Sequence, residues 1–103
     1  MLELFLSPEA ENDLEIIYKY TYENWGLKQA DYYQDQLYNS MSQVCKNPNI
    51  GRVYEHSDYA YKIITTNKHL VFYRITNDKK CIVVRILHER MDLDLHIIDR
   101  SKI

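Results

Sequence analysis

The spacing of hydrophobic positions along the chain changes once, near residue 50, and that change separates two kinds of predicted element. Residues 2 to 6 (LELFL) form a short apolar run that reads as a strand. Ser7-Pro8 then supplies a hydroxyl for a helix N-cap and a proline for the first helical position. Ala10, Leu14, Ile17 and Thr21 recur at helical spacing with Tyr18 beside them, and Glu15 and Lys19 form an i,i+4 pair on the polar side. Trp25-Gly26 ends this helix, the glycine accepting a backbone conformation that a side chain would resist. A second helix follows, marked by Ala30, Tyr33, Leu37, Met41 and Val44, and it stops at Asn47-Pro48 because the residue before proline avoids helical angles. With a connection of only about two or three residues, the helices fold back as an antiparallel hairpin.

Beyond the turn Asn49-Ile50-Gly51 the period becomes that of strands. YAYKIITT from Tyr59, HLVFYRIT from His69 and CIVVRIL from Cys81 are rich in β-branched and aromatic residues. Asn67-Lys68 and residues 77–80 separate them, and such short loops make neighbouring strands antiparallel. The predicted fold is a single α+β domain over residues 1–103. It runs as an N-terminal strand, an antiparallel helix hairpin, a three-stranded antiparallel meander, and a short C-terminal tail or helix from His88 onward.

The loop lengths set a register. A two-residue turn at Asn67-Lys68 puts Ile63 opposite Phe72 and Tyr61 opposite Arg74, while a loop over residues 77–80 puts Arg74 opposite Val83 and Phe72 opposite Arg85. One face then carries Ala60, Ile64, Val71, Tyr73, Ile75, Ile82, Val84 and Ile86, and the helix pair is expected to cover it. The other carries Tyr61, Ile63, Leu70, Phe72, Arg74, Val83, Arg85 and Leu87. Apolar area mixed with two arginines makes this second face a candidate docking surface. The competing reading is that the C-terminal tail folds over it while the arginines extend to water. A one-residue slip in register would exchange the faces.

Composition narrows the classes. At 103 residues and 46% hydrophobic content the chain suits one core, and two Gly and two Pro leave little material for linkers. A net charge of −2 and a pI near 6.0 fit poorly with a protein that lives on bare nucleic acid. Cys45 and Cys81 lack metal-ligand spacing and read as reduced core thiols. With no signal peptide and no apolar run long enough to span a bilayer, the expected location is the cytoplasm.

Catalytic templates are absent: there is no glycine-rich phosphate loop, no HExxH and no nucleophile elbow. The four histidines, His56, His69, His88 and His96, offer no obvious third ligand, so neither metal nor cofactor is expected. RNA cleavage through the 2′-hydroxyl needs an acid, a base and cations. His69 and His88 fall opposite each other at one end of the sheet and are the candidate proton-transfer pair, though on the apolar-face parity, away from Arg74 and Arg85 unless the strand ends at Leu87. Most of the ten tyrosines lie on the helices among acids such as Glu23, Asp31 and Asp35, which favours a core rim or a protein partner over an RNA surface.

The segments LSPEAENDLEIIYKYTYENWG, QADYYQDQL, HLVFYRI and VRILHERMDLDLH, in this order over nearly the whole chain, resemble the ParE toxins of bacterial toxin–antitoxin modules. Ile86-Leu87-His88-Glu89-Arg90-Met91-Asp92 is the most specific part of the match. The order of elements is also that of the wider RelE/ParE superfamily. The resemblance implies a toxin silenced by a ParD-like antitoxin, of the kind linked to plasmid stabilisation, whose target is DNA gyrase and which acts by binding without turnover. RelE-like relatives instead cut mRNA on the ribosome. Lys62 stands in for one of the lysines such an activity uses, but His69 stands where an arginine is expected, and Ala60 stands near another lysine position. The implied target-binding residues are Tyr61, Phe72, Arg74, Arg85, His88, Glu89, Arg90, Met91 and Asp92. The ribonuclease alternative would rest on His88, His69, Lys62 and Arg85, and a third possibility is an inactive partner-binding relic. An amphipathic antitoxin helix is expected either on the tyrosine-rich hairpin or on the open sheet face. No membrane contact and no sequence-specific nucleic-acid binding by this chain alone are expected.

Overall fold

The computed structural model describes residues 1–55 and 60–91. Its elements are β1 (Glu3–Leu6), α1 (Pro8–Trp25), α2 (Leu27–Lys46), β2 (Arg52–Glu55), β3 (Ala60–Thr66), β4 (His69–Ile75) and β5 (Lys80–His88). They form a five-stranded sheet in the order β1-β5-β4-β3-β2, parallel only between β1 and β5. The α+β order expected from the sequence is present, with one strand more than the pattern suggested. β2 is only four residues long and begins and ends on a charge, so it carries no period of its own; pairing of Arg52 with Ile63 through Glu55 with Ala60 makes it a strand. The expected C-terminal tail or helix lies outside the described residues, apart from the turn at Glu89–Met91.

Local chemistry explains the helix ends. The Ser7 hydroxyl accepts from the Ala10 amide and donates to the Val84 carbonyl, so one side chain caps α1 and ties it to β5. A single residue, Gly26, joins the helices, a tighter connection than expected. At φ 91° it donates its amide to Tyr22, while its carbonyl accepts from Ala30 and starts α2.

The helix pair packs on one face of the sheet. Ala10, Leu14, Leu37, Met41, Val44 and Cys45 meet Val71, Tyr73, Cys81, Val83 and Ile86 in a single buried cluster. Both cysteines are free thiols in this core, and burial pushes Cys81 up to about 12, which keeps it protonated and inert. The Tyr73 hydroxyl donates to the Pro48 carbonyl and accepts from the Gly51 amide. A Cβ at Gly51 would collide with that hydroxyl, so the glycine is there for close approach.

The expected register holds between β3 and β4, where Ile63 pairs with Phe72 around the two-residue turn. Between β4 and β5 it holds only at one end. Phe72 pairs with Arg85, but Tyr73 pairs with Val83 and Arg74 with Ile82, because a bulge leaves Val84 unpaired. Cys81 and Val83 therefore join the helix-side core, and Ile82 and Val84 turn to the opposite face, the reverse of the expected assignment. The loop keeps its expected length of four residues but lies one position earlier, over residues 76–79, since β4 ends at Ile75 and Lys80 already belongs to β5; Lys79 in it adopts φ 63°.

A second correction concerns the face expected to be open. Tyr61, Ile63, Leu70, Phe72, Val84 and Leu87 form a second buried cluster, each at most 7% exposed. Tyr61 and Phe72 pack with ring centroids 5.0 Å apart, and Tyr54 from β2 meets Phe72 edge-on at 5.0 Å. The strand that the sequence pattern did not reveal thus contributes a ring to this core. Among the described residues no helix is long and apolar enough to cross a membrane.

Candidate functional site

The chemically distinctive part of the molecule is the end of the sheet where β4 begins and β5 ends. Backbone pairing places His69 opposite His88, with their rings 5.3 Å apart and edge to face. Tyr33 of α2 reaches across to His69: its hydroxyl lies 2.5 Å from Nδ1, and the rings sit 5.4 Å apart at 68°. Burial first, then the neighbouring His88, pushes His69 down to about 4, so it is neutral near pH 7 despite the opposing pull of Asp13 and Glu89. Burial also raises the Tyr33 phenol, which keeps it an O–H donor. The lone pair at His69 Nδ1 accepts from it, leaving the ring proton on Nε2.

After His88 the chain turns sharply. The Glu89 amide donates to the Lys68 carbonyl (2.8 Å), the Arg90 amide to His88 Nδ1 (3.1 Å) and the Met91 amide to the His88 carbonyl (2.9 Å). Three backbone amides are satisfied within three residues, which leaves the side chains of Glu89, Arg90 and Met91 exposed on a held turn. Asp92 lies outside the described residues.

The remaining candidate residues are distributed differently from expectation. Arg85 is not displayed on an open face. Its Nε and Nη2 donate to the two carboxylate oxygens of Asp13 at 2.8 and 2.9 Å, and the Ile86 amide donates to the same carboxylate at 2.9 Å. The hydrogen-bonded Asp13 carboxylate raises the guanidinium pKa further. Arg74 is half-buried and has partners of its own. Tyr61 and Phe72 are core residues, so neither presents a surface to a target. Lys62 donates to Asn49 Oδ1 at the far end of β3. It lies four residue steps along the strand from Thr66, the partner of His69, a span of about 13 Å. The histidine pair is therefore assembled, but Lys62 stands far from it and Arg85 is committed to Asp13. Among the described residues no group of three or more His, Cys, Asp or Glu side chains has metal-binding geometry.

Two residues of this region were not singled out for it from the sequence. Asp13 had a legible signal, an acid three residues after Ala10 and next to Leu14 on the helix face that packs inward. Tyr33 stood in the same apolar series as Leu37, and nothing local marks its hydroxyl as a partner for His69. A second surface feature lies on the helix hairpin. A groove of about 570 Å³ between α1 and α2 is lined by Glu11, Glu15, Asp31, Tyr18, Tyr38 and neighbouring residues. Tyr18 donates to Asp31 across it at 2.7 Å, so the groove is acidic with aromatic walls.

The family described as "ParE toxin of type II toxin-antitoxin system, parDE" matches residues 4–93, which include both the histidine pair and the turn. Toxin ParE1 of Mycobacterium tuberculosis is 38% identical over 92 residues, covering 89% of this chain and 94% of that relative. Toxin ParE of Escherichia coli is 31% identical over 102 residues, covering 99% of each. A solved structure titled "Chromosomal ParDE TA system from P. aeruginosa" superposes with a TM-score of 0.73 at 18% identity, covering 85% of this chain and 96% of that one; it supports the fold. With the match spanning β1 through the turn after β5, the chain belongs to the ParE toxin family of type II toxin–antitoxin systems.

Proposed function

We propose that the protein inhibits DNA gyrase by binding it, without turnover of its own, and that a ParD-like antitoxin neutralises it. The observation that supports target binding most directly is the turn Glu89–Arg90–Met91, whose amides are all engaged while its side chains face solvent. Arg90 offers a planar donor set to a carboxylate or phosphate, and Met91, 45% exposed, offers an adaptable apolar contact beside it. A ribonuclease reading has His69 and His88 in its favour, but the two cations it relies on are placed elsewhere, Lys62 about 13 Å along β3 and Arg85 on Asp13.

The test is supercoiling by purified gyrase, scored for loss of supercoiling and for trapped cleaved DNA. The expected result is inhibition with accumulation of cleaved DNA, and Arg90→Ala or Met91→Ala raises the half-inhibitory concentration by about tenfold or more. Inhibition unchanged in both variants would remove the turn from the target surface. No inhibition by the unmutated protein at large excess would end the gyrase reading and make translating ribosomes the next substrate to test.

For the antitoxin, the acidic groove between α1 and α2 fits a helix that carries Lys or Arg beside its apolar stripe, since Glu11, Glu15 and Asp31 border the aromatic walls. Glu15 is exposed, so Glu15→Lys leaves the fold intact. The expected effect is a roughly tenfold weaker antitoxin complex that weakens less steeply with added salt than the wild-type complex. An unchanged affinity measured by calorimetry would move the antitoxin to another face.

A further inference from the structure

The turn that the proposed function assigns to the target is not held by its own residues alone. A series of side-chain contacts runs into it from α2. Tyr33 meets His69 through its hydroxyl and ring edge, His69 meets the ring of His88 edge to face, and His88 Nδ1 accepts the Arg90 amide. Two more hydrogen bonds fix the base of this series. Asn67 donates to Gln36 and Thr66 donates to Ser40, each at 2.6 Å, so α2 grips the β3–β4 turn through Gln36 and Ser40 as well as Tyr33. Lys68 within that turn then accepts the Glu89 amide.

We propose that Tyr33 and His69 are positioning residues for the target-binding turn: the Tyr33 phenol orients His69, His69 sets the ring of His88, and His88 aims the backbone at Arg90. The inference rests on the reading of Glu89–Met91 as a target contact. Both side chains are half-buried, Tyr33 on α2 and His69 at the start of β4, and their role in this proposal is exerted through the turn.

The hydrogen bonds specify how the series works. Both histidines use Nδ1 as an acceptor, one for a phenol and one for a backbone amide, so both rings carry their proton on Nε2. A ring flip or the loss of either acceptor breaks the series. The charged groups facing the pair are Asp13 from α1 and Glu89 from the turn. Removing the Tyr33 hydroxyl deletes its hydrogen bond to His69 and its contact with the Lys68 backbone but leaves the aromatic ring in place, which makes it the least disruptive probe of the whole series.

The experiment compares Tyr33→Phe, His69→Leu and His69→Gln with the unmutated full-length chain. It uses three readouts: amide chemical shifts of the turn, half-inhibitory concentration against gyrase, and affinity for the antitoxin. Tyr33→Phe is expected to move the Arg90 and Met91 amide signals and to weaken inhibition about fivefold, the effect of one hydrogen bond. Antitoxin affinity stays unchanged. His69→Leu weakens inhibition further, and His69→Gln, whose side-chain oxygen still accepts from Tyr33, restores a large part of it.

Unmoved amide signals in Tyr33→Phe would overturn the proposal whatever happens to inhibition. Parallel loss of antitoxin affinity would overturn it too, because it would mark a general weakening of the fold. If the unmutated protein leaves gyrase untouched, the proposed function fails separately. The positioning role is then decided by the amide shifts, with growth arrest on expression replacing inhibition as the activity readout.

Discussion

Asp13→Ala lowers the stability of the protein by about 3 kcal/mol, seen as a lower urea midpoint with an unchanged slope. Asp13 is 7% exposed and accepts three charge-assisted or backbone hydrogen bonds, two from Arg85 and one from the Ile86 amide. Its removal leaves a guanidinium and a backbone N–H without their acceptor beside the start of α1. The side chain of Arg85 keeps 20% of its exposure, so water recovers part of the loss, and the expected figure stays near the lower end of the range for broken buried pairs. The double variant Asp13→Leu with Arg85→Met should be more stable than Asp13→Ala alone, because it removes both charges instead of stranding one. A single variant within about 0.5 kcal/mol of wild type would show that the pair is peripheral to the fold.

The pH dependence of stability is the second large effect. A histidine in the unfolded chain takes up its proton near pH 6.5, while burial beside His88 pushes His69 in the folded protein down to about 4. Between those values the unfolded state binds more protons, so stability rises with pH. The contribution is complete above about pH 6.5 and disappears as the pH falls toward about 4. The full shift would correspond to about 3 kcal/mol, and partial access of solvent to the ring reduces the expected loss to about 2 kcal/mol. Denaturation series at pH 7.5 and 4.5 measure it, with His69→Gln as the reference that lacks the titrating ring. Wild type should lose about 2 kcal/mol more than the variant over that interval. Parallel curves would assign the acid sensitivity to carboxylates instead.

Both effects arise where α1, α2 and β5 converge, and this is also where the candidate site is built. The same residues therefore serve stability and presentation. Arg85 anchors α1 to the sheet, and His69 and Tyr33 hold the base of the turn. A target-binding segment on a turn must otherwise lose its own freedom on binding, and pinning it beforehand lowers that cost.

Much of this architecture was legible in the chain itself, and the reasons are local. Ser7-Pro8, Gly26 and Asn47-Pro48 carry capping and backbone preferences that act within a few residues, so the helix ends followed from sequence. The two-residue turn at Asn67-Lys68 set the pairing of Ile63 with Phe72 for the same reason. What the chain left open depended on residues far apart in sequence. Val84 is the extra residue of the bulge because β5 must pair with β4 on one side and with β1 and Ser7 on the other, and the resulting shift changes the faces of Ile82, Val83 and Val84. RVYE becomes a strand only because β3 offers it an edge, and Tyr54 then completes an aromatic cluster with Phe72 and Tyr61. Arg85 looked like a surface arginine until α1 brought Asp13, 72 residues away, against it. Short-range preferences thus determined the elements and their order. The burial of the second sheet face, the Asp13–Arg85 pair and the series from Tyr33 to Arg90 were decided by tertiary packing, since each joins groups that only the folded sheet and helix hairpin bring within contact distance.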